Sequence, residues 1–479
     1  MTVERGARRV TELWSLSATD IAARVRSGTI SATDVVTAHL ERIDSVNPSV
    51  NAVVRRLDDS ALQRASQIDA DHAAGRPLGP LAGVPFSVKD NIDLAGNPTT
   101  HGTAAYAEVT PTMDAPIVER LRAADAIPIA RTNLPDMGLR LHTDSSLHGR
   151  TNNPWSSEHT AGGSSGGDAT ALATGMSAIG LGNDLGGSLR NPATCCSIAS
   201  LKPTFGRVPH ALQGPLGEES LVEQMIAVEG PMARTVADVR LALRVIAGAH
   251  PRDPWSVPAT FGERPAPLRI GLLSRPPGGS TDPRIADLVD RAGPWLRDAG
   301  HAVEEVDIDV FEATLECWHT LVVGSLASGL EELGTLIGPD ARRFIESAIA
   351  SSSVALDDGA SEAAWVTRHQ LIQSWNVLFR SFDAVIMPTW TELPFRHGDD
   401  LDPAGAAAVL ELARSVYPAN VLGFPAAAVP AGIIDGLPVG MMVMGPAWAD
   451  LTCLSVAEAI EARAPAPTTP IDPKDGLHG

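Results

Sequence analysis

The chain of 479 residues carries 37 Lys and Arg against 57 Asp and Glu, a formal net charge of −20, with 44% hydrophobic and 4% aromatic residues. The apolar fraction is enough to bury a sizeable core, packed from aliphatic, Ala and Gly residues. The acidic excess is spread along the sequence and would repel a phosphate backbone at most approaches, which excludes nucleic acid as a partner.

Residues 17–46 read as two helices, because Ser17 with Asp20 and Ser31 with Asp34 form N-terminal capping signals and Gly28 stops the first. In the second, Val35, Val36, Leu40 and Ile43 make an apolar face, and His39, Glu41, Arg42 and Asp44 supply the wet one. Val84, Phe86 and Val88 alternate with Pro85 and Ser87, predicting a strand that delivers Lys89 to its end before a turn at Asp90-Asn91. A helix over 114–124, a strand over 126–130 and a small-residue helix over 169–176 follow. Beyond them come a strand at 269–273, a helix over 285–299, a strand at 302–308 and mainly helices over 311–379. A strand at 383–387, a helix over 406–415, strands at 426–429 and 440–443 and a last helix over 451–462 complete the pattern. Such alternation argues for an α/β fold with helices on both faces of a sheet.

Cys195, Cys196, Cys317 and Cys453 have no metal-ligand spacing, and the adjacent pair cannot easily bridge, so neither a structural disulfide nor a metal site is expected. The start, MTVERGARRVTELW, lacks the apolar region of a secretory signal, and no run of 18 apolar residues occurs. A cytoplasmic protein without a membrane partner is expected.

The chemistry is concentrated between Gly162 and Arg190, where Ser164 and Ser188 each follow a Gly-Gly pair. Glycine lets backbone N–H groups approach a ligand with no Cβ in the way. Hydrolysis through a serine needs a nucleophile, a base and donors aimed at the developing oxyanion. Ser188 suits the first role, and the N–H groups of Leu185, Gly186, Gly187 and Ser188 itself suit the last. Gly162 to Gly166 also satisfies G-x-S-x-G, but Trp155 to Thr160 is polar and irregular where a nucleophile elbow needs a hydrophobic strand.

Three blocks in order, Gly83-Val84-Pro85 with Lys89-Asp90, Gly162 to Gly167 and Asp184 to Ala193, resemble the amidase signature family, whose hydrolases use a Ser, cis-Ser, Lys triad. The resemblance continues through Ser200 to Arg207, Gly423 to Ala426 and Gly436 to Gly440. It thins between about Pro251 and Phe382, where family members differ. It implies a large twisted mixed β-sheet covered by helices on both faces. One amidase domain is expected over 1–479, with N-terminal helices (1–65), a signature core (66–250), a substrate-shaping region (251–382) and a C-terminal return to the sheet (383–479).

The resemblance further implies that Ser188 attacks the carbonyl while Lys89 takes its proton through Ser164. Ser165, Asp184 and Arg190 would support the loop, and no cofactor or metal is required. Lys89 must then be neutral, whereas an ordinary lysine titrates near 10.4, so burial or positive neighbours have to depress it. The chain departs from the family pattern at Ala130-Arg131-Thr132-Asn133 with Asp136, where many members read Gly-Lys-Thr-Asn and then Glu. It departs again at Asn183, where Ser or Thr is usual, and at Met442, where Gln is common. Met137 to Leu147 is expected to wall the scissile bond, with Met137 and Gly138 as substrate contacts. Trp318, Trp365, Trp375 and Trp390 read first as core and second as pocket wall.

The expected function is amide hydrolysis through a Ser188 acyl-enzyme on a small molecule, neutral or aryl amides first, with carbamates and esters chemically adjacent. The alternative is the amidase component of a glutamine-dependent amidotransferase, working with partner proteins. The sequence leaves the assembly open, a homodimer included.

Overall fold

Eleven strands form one mixed sheet in a computed structural model that describes residues 12–212, 219–262 and 266–473. In chain order they are β1 (Val53–Arg56), β2 (Pro85–Lys89), β3 (Ile127–Thr132), β4 (Ile179–Asp184), β5 (Ala199–Lys202) and β6 (Val228–Ala233). The rest are β7 (Arg269–Leu272), β8 (Ala302–Glu305), β9 (Ala384–Pro388), β10 (Ala426–Ile434) and β11 (Leu437–Met444). Their order across the sheet is β1-β3-β2-β4-β6-β5-β10-β11-β9-β7-β8. β2 runs parallel to β3 and β4, β7 runs parallel to β8 and β9, and the other neighbours are antiparallel.

Successive side chains of a strand point to opposite faces, so a sheet covered on both sides needs apolar residues at every position. The middle of the sheet has this property. Met441 and Val443 enter one core while Met442 and Met444 enter the other, and Ala384 and Ile386 are divided from Val385 and Met387 in the same way. Helices Ala18–Arg26, Ala32–Val50, Val236–Ile246, Pro283–Asp298 and Asp450–Glu461 feed the first core. The second is fed by Arg190–Cys196, Phe311–Leu333, Pro339–Ala350, Asp358–Leu378 and Pro403–Leu412, which puts much of the 251–382 region on the face that carries the glycine loops.

Several predicted elements move or change role. Ser17 and Ser31 cap their helices by accepting from the N–H groups of Asp20 and Asp34, as their spacing predicts. His39 and Arg42, however, are buried and not on a wet face. His39 Nδ1 lies 2.9 Å from the Val35 carbonyl, and Arg42 donates to the Thr174 carbonyl at 2.7 Å and sits 4.0 Å over the Trp14 ring. A second layer of chain covers this face, because Arg42 also reaches the Ile471 carbonyl near the C-terminus.

The small-residue helix begins earlier than predicted, at Gly166–Ala173, directly on the first glycine loop. The strand at 302–308 stops at Glu305. The strands at 426–429 and 440–443 are arms of one longer hairpin, turned by Asp435 and Gly436 at φ 51° and 81°, the backbone an Asp-Gly hairpin turn requires. Ser156–Thr160 is a strand instead of irregular chain, although it pairs with Asn152–Asn153 and, through a bridge at His159, with Arg396, and lies outside the main sheet. Among the described residues no helix is long and apolar enough to cross a membrane, and all four cysteines are buried and free.

Candidate active site

The alternation in β2 places Lys89 at the last position of the strand, fully buried and paired in register with Thr132 of β3. Its Nζ donates to Ser164 Oγ and to Asn183 Oδ1, both at 2.7 Å. Burial lowers its pKa from 10.5 to about 7, and the negative charges of Asp168 and Asp184 work against that shift. Asp168 is itself pushed up to about 6 by burial, although Thr132 and Ser87 donate to it at 2.6 and 2.7 Å. Lys202 is also buried and lowered to about 7. Its Nζ instead donates to the carbonyls of Pro203 and Phe424, so it ties β5 to the segment before β10 and, among the described residues, meets no hydroxyl.

Ser164 is 2% exposed, and the Gly163–Ser164 peptide is cis. The preceding glycines are required by contact. A Cβ on Gly162 would stand 2.6 Å from Pro192 Cα, and one on Gly163 would stand 2.5 Å from the Arg140 carbonyl oxygen. Ser165 donates its backbone N–H to the Ser188 carbonyl at 3.3 Å, which joins the two glycine loops. Its buried Oγ has no hydrogen-bond partner among the described residues, so its observed support comes from the main chain.

Ser188 is half-buried on the turn after β4. Asp184 organises this turn by accepting from the N–H groups of Gly187 at 2.8 Å and Leu189 at 3.1 Å. Arg190 grips the same carboxylate with Nε at 3.0 Å and Nη2 at 2.9 Å, and Asn420 Nδ2 adds a bond at 2.8 Å. Burial alone would raise the Asp184 carboxyl. The Arg190 charge and these hydrogen bonds overcome it and hold the group at about 2.

One expected oxyanion donor is corrected by this geometry: the Gly187 N–H is spent on Asp184. Among the described residues the N–H groups of Leu185, Gly186 and Ser188 have no acceptor. The peptide carbonyls of the turn are held on the other side, since Asn191 Nδ2 donates to the Gly186 carbonyl at 3.0 Å and its N–H to that of Gly187 at 2.6 Å. Asn191 is oriented by Trp390, whose Nε1 donates to Oδ1 at 2.8 Å. Neither Asn191 nor Asn420 is marked as a site residue by its type, and only the packed neighbourhood reveals them.

The expected wall segment, Met137 to Leu147, passes Ser164 at Gly138. A Cβ on Gly138 would stand 3.3 Å from Ser164 Oγ, and Met137, at φ 54°, donates its N–H to the His101 carbonyl at 2.8 Å. Asp136 carries the wall to the 251–382 region by accepting from Ser146 N–H, Ser146 Oγ and Gly338 N–H. The departures from the family pattern take structural places. Arg131 pairs with Asp90 at 3.0 Å, Asn183 receives Lys89, and Met442 Sδ lies 3.1 Å from Arg190 Nη1.

Residues 34–454 match the family model described as Amidase. An indoleacetamide hydrolase of Bradyrhizobium diazoefficiens is 37% identical over 458 residues, covering 94% of this chain and 87% of that protein. One component of the glutamyl-tRNA(Gln) amidotransferase of Salinispora arenicola is 32% identical, covering 96% of this chain and 99% of that one. The crystal structure of a bacterial aryl acylamidase of the amidase signature family superposes with a TM-score of 0.81 at 28% identity, covering 94% of this chain and 96% of that one. With its sheet, its paired glycine loops and these likenesses, the chain belongs to the amidase signature family and is an amidohydrolase.

Proposed function

We propose that this amidase hydrolyses neutral or aryl carboxylic amides through an acyl-enzyme on Ser188. The observation that carries the reading is Lys89 Nζ at 2.7 Å from Ser164 Oγ, in a site that lowers the lysine to about 7 and so keeps a large share of it neutral near neutral pH. Ser188 Oγ bonds to the amide carbon while its proton passes to Ser164, whose own proton passes to Lys89. The N–H groups of Leu185, Gly186 and Ser188 receive the oxyanion. Return of the proton along the relay releases the amine, and water activated by the same route cleaves the acyl ester. Asp184 and Arg190 hold the turn and take no part in proton transfer.

The preference for neutral or aryl amides is supported by half-buried Leu185, on the turn that bears Ser188, and by half-buried Leu139, next to Gly138. It is also supported by likeness to an indoleacetamide hydrolase and an aryl acylamidase. Esters and carbamates are accessible to the same acyl transfer. The amidotransferase reading is favoured by the second of the relatives described, which is less similar than the first.

Trapping tests the nucleophile directly. Quenching the protein during turnover of an aryl carboxylic p-nitrophenyl ester should leave the acyl group on Ser188 in a peptide mass map and none on Ser188→Ala. An acyl group mapped to any other residue would end the reading.

A further inference from the structure

The turn that bears Ser188 is gripped from the region where family resemblance thins. Trp318 lies on helix Phe311–Leu333 and is 4% exposed. Its indole N–H donates to the Leu185 carbonyl at 3.1 Å. The ring stacks on Tyr417 with centroids 3.8 Å apart and planes 12° apart, and His319 meets both rings edge-on. Cζ2 of the indole is 2.8 Å from the place a Cβ on Gly186 would occupy, so the ring lies against the turn itself.

The Leu185 carbonyl and the Gly186 N–H belong to one planar peptide unit, so fixing the oxygen fixes the direction of the N–H. A hydrogen bond accepted at the oxygen also polarises the unit and strengthens the donor at its other end. Asn191 occupies the next two carbonyls of the turn, those of Gly186 and Gly187. Trp318 holds the remaining one, and its unit ends in an N–H with no acceptor among the described residues.

We propose that Trp318 is a positioning residue that aims the Gly186 N–H at the substrate oxyanion. This rests on the reading of Ser188 as nucleophile with the adjacent N–H groups as oxyanion donors. It assigns to the 251–382 region a share in transition-state binding, beyond the shaping of a substrate pocket.

Trp318→Phe keeps an aromatic ring against Tyr417 and removes the N–H. The expected result is a fall in kcat of about tenfold, the scale of one hydrogen bond, with KM close to that of the unsubstituted chain. Affinity for an arylboronic acid, which adds to Ser188 and becomes tetrahedral, should fall by the same factor, while affinity for the carboxylic acid product stays unchanged. Unchanged kcat and boronate affinity would overturn the proposal, as would equal weakening of boronate and product. If Trp318→Phe does not fold, Gly186→Ala reads the contact from the other side, because its Cβ, 2.8 Å from Cζ2, forces the ring and the turn apart. The same kcat loss with KM kept is expected, and wild-type kcat would overturn the proposal. Turnover surviving in Ser188→Ala would defeat the acyl-enzyme reading instead, so the two failures are separable.

Discussion

In the proposed mechanism Lys89 can serve as a base because it is fully buried. In solvent its ammonium would hold its proton far above neutral pH, whereas full burial at the end of β2 brings it to about 7. Catalysis requires the neutral amine, so kcat/KM should rise with pH through about 7 and level off above it. Asp168 opposes the depression, and Asp168→Asn removes a charge that favours the ammonium. A pH profile of that variant should show its acid limb moved to lower pH. A limb unmoved or moved upward would contradict the assignment. At this scale the sequence is legible where chemistry depends on residue type: Lys89, Ser164 and Ser188 stand in motifs, and Lys89 with Ser164 is brought within 2.7 Å. Gly187 is not legible in this way, because the capture of its N–H by Asp184 depends on how the turn closes.

Short elements set the geometry of the site. β4 delivers Asn183 toward Lys89 and Asp184 toward the following turn, and Asp184, Arg190 and Asn420 then lock that turn. Both Asp184 and Arg190 are fully buried, so removing one partner leaves an uncompensated charge. Arg190→Met should cost about 3–5 kcal/mol of stability, read by denaturant unfolding, and lower activity by freeing the Ser188 turn. A loss below about 1 kcal/mol, the scale of an exposed pair, would contradict this role. β4 itself escapes sequence reading as a strand: Ile179-Gly180-Leu181-Gly182 places glycine at alternate positions, where Leu172, Leu189 and the side chains of Asp168 and Ser165 press against the backbone. Helices with capping serines and one apolar stripe are read correctly. His39 and Arg42 are misread because the distant C-terminal segment covers their face, and periodicity reports nothing about such a neighbour.

Across the whole molecule, the α/β class and helices on both faces follow from alternating patterns, and the eleven-stranded sheet agrees with them. The order of strands does not follow. β5 lies between β6 and β10, and β9 between β11 and β7, through pairings between segments far apart in sequence that no local signal encodes. The same long-range assembly brings the 251–382 region against the signature loops, at Asp136 with Gly338 and at Leu185 with Trp318. The purified chain alone should therefore present a complete site to a small amide. The most direct test is turnover of an aryl acetamide, an aliphatic primary amide, an aryl carbamate and glutamine by the single chain and by Ser188→Ala. Hydrolysis of the aryl amide without a partner, abolished in Ser188→Ala, is the predicted result. Ammonia release from glutamine alone, or aryl amide turnover that survives the substitution, would contradict it.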